Sequence, residues 1–301
     1  MIISASRRTD IPAFYAEWMV NRLRAGFCLV ANPFNPAQVS RVSLAVPDVD
    51  AIVFWTKNVS PFFPALNTID RMGYRYTFLY TINDYPTELE PHVPPLEDRI
   101  ETFCALSDRL GGCRVTWRYD PIILSRKMDV RFHLAAFRRI AGALQERTDR
   151  VIISFLDFYR KTERRLSRIE ESVRDSFLRD PTRAPRFGEL VAGLSEIAQE
   201  HGMSVQSCAE LPQVAAHGIP PGACIAGAHL RDVFGLDLAA RKDPGQRDAC
   251  LCTRSRDIGA TDTCLHGCAY CYSTRSQAAA EARHAEHDPS APALLGVDLC
   301  K

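Results

Sequence analysis

The stretch Ala51-Ile52-Val53-Phe54-Trp55-Thr56-Lys57-Asn58 decides the fold. Its first five residues are apolar without alternation, which is typical of a strand buried on both faces of a parallel sheet. The last three are polar and lead into a helical pattern over residues 61–73. A buried strand, a polar turn and a helix make up one unit of an α/β protein.

This unit recurs along the first two thirds of the chain. Strand patterns occur at residues 2–6, 51–55, 76–82, 114–117, 151–156 and 204–207, and helical patterns at 12–26, 61–73, 95–111, 129–147, 161–178 and 186–202. Six such units predict a parallel sheet, either curled into a partial barrel or doubly wound. Residues 27–46 interrupt the alternation and predict a small extra hairpin or loop.

Charge and hydropathy exclude several classes of function. The 37 basic and 36 acidic residues nearly balance, so no global attraction to nucleic acid or membrane is expected. The basic residues of region 159–186 are interleaved with acids, which favours a solvated face but leaves contact with nucleic acid phosphates open. No apolar run approaches the roughly 20 residues of a membrane span, and the first residues lack a signal-peptide pattern. We therefore expect a soluble, cytoplasmic protein with no membrane partner.

Polar residues follow each predicted strand. In α/β folds the carboxyl ends of the strands carry the ligand chemistry. Polar caps are common in such turns, but basic residues are not favoured caps, so their presence here indicates a convergent site. The residues expected to act on substrate or cofactor there are Arg8, Asp10, Lys57, Arg118, Asp120 and Glu210.

The composition of the sequence changes after Glu210, where proline, glycine and cysteine become frequent and the apolar periodicity weakens. We expect a barrel over residues 1–210 and a cysteine-rich segment over residues 211–301, which a bound metal or cluster would stabilise. The chain has eleven cysteines. Disulfides are rare in a reducing cytoplasm, so this crowding indicates metal binding or catalysis.

Three of the cysteines, Cys264, Cys268 and Cys271, are spaced as C-x3-C-x2-C. Three thiolates on so short a loop can converge on a metal or cluster, and Gly267 permits the necessary turn. A four-iron cluster normally has four protein ligands, so three would leave one iron open. Zinc is the alternative, with His266 or a remote cysteine as the fourth ligand.

Four further cysteines lie in the same half of the chain. Cys208, Cys224, Cys250 and Cys252 could provide a complete shell for an auxiliary iron–sulfur cluster or a zinc ion. The alternative is that several of them are ordinary buried thiols, which are common in proteins.

The triplet spacing, with aromatic Tyr270 just before the last cysteine, resembles the signature of the radical S-adenosylmethionine superfamily. This resemblance implies a [4Fe-4S] cluster on the three cysteines, S-adenosylmethionine at the fourth iron, and a partial (β/α)6 barrel. It also implies an electron donor such as a flavodoxin or ferredoxin, and a 5′-deoxyadenosyl radical that attacks a small-molecule or unknown substrate. Tyr270, Thr56 and Asn58 are the residues expected to contact the cofactor.

Along nearly its whole length the chain resembles a bacterial family of unknown function, domain of unknown function 1848. The resemblance rests on residues 4–12, 54–58, 118–121 and the terminal cysteine block. The triplet follows the last predicted strand, whereas the superfamily usually has it after the first, and no G-G-E motif follows the second strand. We therefore expect the cysteine-rich segment to fold back over the barrel mouth.

The leading hypothesis is thus a radical S-adenosylmethionine-type enzyme. The alternative is a metal-binding redox or binding protein, with iron–sulfur or zinc, that carries out no radical chemistry.

Overall fold

The computed structural model describes residues 1–210, 212–239 and 241–296. Its strands are β1 (Ile2–Ala5), β2 (Phe27–Asn32), β3 (Asn35–Ser43), β4 (Ala51–Thr56), β5 (Tyr76–Thr81), β6 (Val115–Ile122), β7 (Arg150–Phe155), β8 (Ser204–Cys208), β9 (Pro221–Gly222) and β10 (Ser255–Asp257). Its helices are α1 (Ile11–Phe14), α2 (Ala16–Ala25), α3 (Phe63–Arg71), α4 (Leu96–Leu110), α5 (Val130–Ala143), α6 (Arg160–Val173), α7 (Phe187–Glu200), α8 (Pro212–Ala216), α9 (Gly227–Phe234) and α10 (Gln277–Ala285). None of these helices is long and apolar enough to cross a membrane.

Eight of the strands form one curled, parallel sheet in the order β10-β1-β4-β5-β6-β7-β8-β9. The α/β class and the parallel sheet are therefore confirmed. Six strands coincide with the predicted segments, and β9 and β10 are additional. These two short strands come from the predicted cysteine-rich segment and extend the sheet at both edges, with Ser255 opposite Ile2 in β1. Residues 27–46 contain an antiparallel hairpin of β2 and β3, as predicted.

Strand β4 is apolar on both faces because each face packs against a different layer. Ile52 and Phe54 belong to the main core, which the helices of the barrel share. Ala51 and Val53 belong to a second cluster, formed with residues 223–225 and with the 250–252 region. The strand is apolar throughout because two layers bury it, one on each face. The second layer is formed by residues of the cysteine-rich segment.

The predicted helix 12–26 is two helices, α1 and α2, which meet at Tyr15. Asp10 caps the first, since its carboxylate accepts a hydrogen bond from the backbone N–H of Ala13 at 2.9 Å. Gly26 ends the second in the left-handed conformation, with φ +72°. The hydroxyl of Tyr15 donates to the carbonyl of Thr263 at 2.7 Å, so the break between the helices contacts the residue that precedes the cysteine triplet.

Candidate functional site

A cavity of about 420 Å³ lies at the carboxyl ends of the strands. It is lined by residues 6–10 after β1, by the end of β4, by Arg118 and Asp120 of β6, and by Cys208 at the end of β8. The predicted site residues on its wall are Arg8, Asp10, Thr56, Lys57, Arg118, Asp120 and Tyr270. The cysteines on its wall are Cys264, Cys268, Cys271, Cys208, Cys224, Cys250 and Cys252. The structure therefore brings both predicted sets of cysteines to the same space.

Two predicted site residues do not line this cavity. Glu210 faces an adjoining pocket and accepts a hydrogen bond from the backbone N–H of Phe155 at 2.8 Å. Burial raises the pKa of Glu210 to about 7. Asn58 belongs to the turn that follows β4, where its side chain accepts a hydrogen bond from the N–H of Ser60 at 3.1 Å. Its place is that of an ordinary polar turn residue.

Asp10 connects the barrel to the loop that carries the triplet. One carboxylate oxygen caps α1, and the other accepts hydrogen bonds from the hydroxyl of Thr56 at 3.1 Å and the N–H of Lys57 at 2.7 Å. The same oxygen lies 2.8 Å from Nε2 of His266. His266 is buried, and in the sequence it lies between the first two cysteines of the triplet. His266, considered above as a zinc ligand, is thus bound to Asp10 in the structure.

Lys57 makes a second connection to that loop. Its ammonium donates to Glu90 at 2.8 Å, and the hydroxyl of Tyr270 donates to the same carboxylate oxygen. Arg99 lies 3.6 Å from the other oxygen. Burial alone would raise the pKa of Glu90, but the charges of Lys57 and Arg99 outweigh burial and the pKa is lowered. Glu90 is therefore a buried carboxylate held between two cations.

Two further cations of the cavity are also paired. Arg8 contacts Asp257 of β10 through Nε at 3.0 Å, and Arg118 contacts Asp120. The guanidinium groups of Arg7 and Arg118 lie 5.3 and 4.7 Å from the centroid of the Trp55 ring. Trp55 thus packs against cations, which is a favourable arrangement for an indole.

The three cysteines of the triplet all line the cavity. Burial raises the pKa of Cys264 well above its ordinary value, and Asp10 and the other two thiols act in the same direction. Burial raises the pKa of Cys268 to about 12, and Lys57 partly offsets this effect. Metal-free, these two thiols are neutral at physiological pH.

The backbone of the triplet loop is held from several sides. Ala269 donates to the carbonyl of Leu89 at 2.9 Å, and the guanidinium of Arg165 donates to the carbonyls of Cys271 and Thr274. Gly267 has φ +69°, the left-handed conformation that glycine adopts without strain.

The second set of cysteines, Cys208, Cys224, Cys250 and Cys252, also lies on the wall of the cavity. Sγ of Cys224 lies 3.1 Å from Sγ of Cys208, too far apart for a disulfide bond of about 2.05 Å. Cys250 and Cys252 line the same cavity as this pair. Hydrogen bonds from Cys224 and Cys250 lower the pKa of Cys252, and the charge of Arg7 adds to the effect.

Neither set is arranged as a preformed metal site. Among the described residues, no group of three or more histidine, cysteine, aspartate or glutamate side chains has the geometry to hold an ion as it stands. The donor chemistry of both sets, however, is that of thiolate sites for iron–sulfur clusters and zinc.

Sequence reasoning missed the partners of the predicted cations. Glu90 lies in a segment without regular structure, between β5 and α4, and Asp257 lies in a strand of three residues. Neither context produces a periodic pattern in the sequence. His266 was considered as a zinc ligand because it lies inside the cysteine motif, but its partner Asp10 is 256 residues away in sequence and was not predicted to contact it.

Comparisons with known proteins give a family but no activity. No curated protein matches the chain. Among solved structures, the chain is similar to that described as "Crystal structure of D-hydantoinase", with 11% sequence identity and a TM-score of 0.30. The match covers 71% of this chain and 42% of that chain, so it spans less than half the length of that protein. The family model described as Domain of unknown function (DUF1848) matches residues 2–273, and the chain belongs to this family.

Proposed function

We propose that this protein is an iron–sulfur enzyme of the radical S-adenosylmethionine type, built on a partial (β/α)6 barrel. Cys264, Cys268 and Cys271 would hold a [4Fe-4S] cluster with one open iron. The observation that carries the proposal is that these three thiols line the same cavity as the polar strand ends. When bound, the cluster would supply the electron that cleaves the sulfonium of S-adenosylmethionine into methionine and a 5′-deoxyadenosyl radical.

The surroundings of the triplet suit thiolate ligands. Thiols must lose their protons to bind a metal, and burial of Cys268 opposes this loss. The ammonium of Lys57 acts in the opposite direction, because it favours the thiolate of Cys268. Asp10 and Glu90 hold the loop through His266 and Tyr270, so the order of the loop does not depend on the metal alone.

Arg118 and Asp120 suit the methionyl end of the cofactor. Their side chains are paired on the cavity wall and present a cation beside an anion. A carboxylate and an ammonium on one ligand carbon are complementary to such a pair. We assign the recognition of the methionyl group to these two residues, since the G-G-E motif that usually serves this purpose is missing.

The proposal is tested by anaerobic reconstitution with iron and sulfide, followed by reduction and electron paramagnetic resonance. Adding S-adenosylmethionine should change the spectrum, because the cofactor would fill the open iron. Cys268→Ala should lose about four irons per chain, while Cys113→Ala, at an exposed cysteine, should keep them.

Stoichiometric zinc without labile sulfide, in protein purified anaerobically, would refute the proposal. That result would favour the alternative of a non-radical metal-binding protein. The redox partner that we propose for the enzyme is a flavodoxin or a ferredoxin, and the substrate that we propose is a small molecule.

A further inference from the structure

The four cysteines outside the triplet converge from distant parts of the chain. Cys208 ends β8, Cys224 follows β9, and Cys250 and Cys252 lie between α9 and β10. Cys224 and Cys252 are buried members of the second core cluster, at 4% and 1% exposure. Ordinary buried cysteines pack against apolar groups. Here the sulfurs of Cys224 and Cys208 lie 3.1 Å apart, and all four cysteines line the same cavity.

Three arginines surround these thiols. Arg7 and Arg118 line the same cavity as the four cysteines, and Nη2 of Arg150 donates to the carbonyl of Ala223, the residue before Cys224, at 2.5 Å. Arg118 is paired with Asp120, whereas Arg7 and Arg150 form no ion pair with a carboxylate of the described residues, and buried charge without a partner is costly. Four thiolates carry a charge of about −4, and a [4Fe-4S]²⁺ core would bring the total to about −2.

Each of these arginines also has a buried nitrogen without a hydrogen-bond partner among the described residues. The nitrogens are Nη2 of Arg7, Nε of Arg118 and Nη1 of Arg150, and the whole side chain of Arg150 is buried. Buried donors are satisfied in the great majority of cases, so three around one cluster of thiols require an explanation. An acceptor-rich anionic group bound by the thiols would provide one.

We propose that Cys208, Cys224, Cys250 and Cys252 ligate a second iron–sulfur cluster, of the [4Fe-4S] type, on the wall of the same cavity. Its four protein ligands would leave no iron open, in contrast to the cluster proposed for the triplet.

The surroundings favour a cluster over zinc. A tetrathiolate zinc site offers only its four sulfurs as acceptors, and Cys252 already accepts a hydrogen bond from the N–H of Ile225 at 3.4 Å. The bridging sulfides of a cluster would give the three arginines further acceptors.

The experiment counts iron and labile sulfide in anaerobically reconstituted full-length protein. The wild type should contain about eight irons and eight sulfides per chain. A triple variant with Cys264→Ala, Cys268→Ala and Cys271→Ala should keep about four of each, and so should a double variant with Cys224→Ala and Cys252→Ala. Cys28→Ala, which removes a buried thiol elsewhere in the fold, should keep all eight.

Spectroscopy of the triple variant separates this proposal from the proposed function. Its reduced cluster should give an electron paramagnetic resonance signal that S-adenosylmethionine leaves unchanged, because no iron is open. A triple variant with no iron, or with one zinc, would overturn the second cluster even if the triplet proves to bind iron. The test does not depend on the double variant folding, since the triple variant keeps all four proposed ligands.

Discussion

Replacing Glu90 by glutamine should lower the free energy of unfolding by about 3 kcal/mol. The carboxylate is only 3% exposed, and it lies 2.8 Å from the ammonium of Lys57 and 3.6 Å from the guanidinium of Arg99. Removing one partner of a buried ion pair costs roughly 3–5 kcal/mol, because it leaves an uncompensated charge. We expect the lower end of this range, since Lys57 keeps 13% exposure and the glutamine oxygen can still accept from Tyr270.

The effect should depend on pH in a defined direction. The pKa of Glu90 in the fold is lowered from its ordinary value of 4.5, so its charge stabilises the protein above about pH 4.5. This contribution is lost as the pH falls through the lower pKa of the folded state. The difference between wild type and Glu90→Gln should therefore be largest at neutral pH and should shrink in acid.

Urea unfolding of metal-free protein, followed by circular dichroism at several pH values, measures this difference. Glu88→Gln, at a nearby exposed glutamate, is the matched control and should stay within about 0.5 kcal/mol of wild type. Adding Lys57→Met to Glu90→Gln should restore part of the stability, because the unpaired ammonium is removed. An effect of Glu90→Gln no larger than that of the control, or one that grows in acid, would refute the reasoning.

Three further changes test other parts of the site. Gly267→Ala should lower the thermal stability, because φ of Gly267 is +69° and the new Cβ would lie 3.0 Å from two neighbouring side chains. Gly296→Ala is the control and should leave the thermal stability unchanged, because a Cβ at Gly296 would meet no atom within 4 Å. Glu210→Gln should be more stable than wild type by up to roughly 3 kcal/mol above pH 7, and this gain should vanish below pH 4.5. The reason is that the pKa of the buried Glu210 is raised to about 7, so the folded wild type is destabilised as this carboxyl ionises. Urea titrations that show no such gain would contradict this prediction. Arg165→Ala should lose iron to a chelator several-fold faster than the control Arg164→Ala, an exposed neighbour, because Arg165 holds two carbonyls of the triplet loop; equal rates would show that these contacts do not hold the loop.

The parallel sheet could be predicted because β1, β4, β5 and β7 are buried on both faces and so lack polar alternation. Strands β9 and β10 could not, because two and three residues are too few to leave a pattern. They are strands only through their pairing with β8 and β1.

The candidate site, like the sheet, could be predicted only in part. The cysteine spacing and the cations at the strand ends are local features, and both mark the cavity. The carboxylates that pair with those cations are set by contacts across the fold: Asp257 is 249 residues from Arg8, and Glu90 is 33 residues from Lys57. Glu210 and Asn58 were assigned to the site because they follow strands, but a strand end also needs polar groups to satisfy its own backbone.

Formation of 5′-deoxyadenosine tests the central proposal most directly. Protein reconstituted anaerobically and reduced with dithionite is incubated with S-adenosylmethionine, and the products are separated by chromatography and identified by mass. We expect wild type to release 5′-deoxyadenosine and methionine, and Cys268→Ala to release neither. A fully loaded, reduced wild-type cluster that yields no 5′-deoxyadenosine would contradict the proposed function.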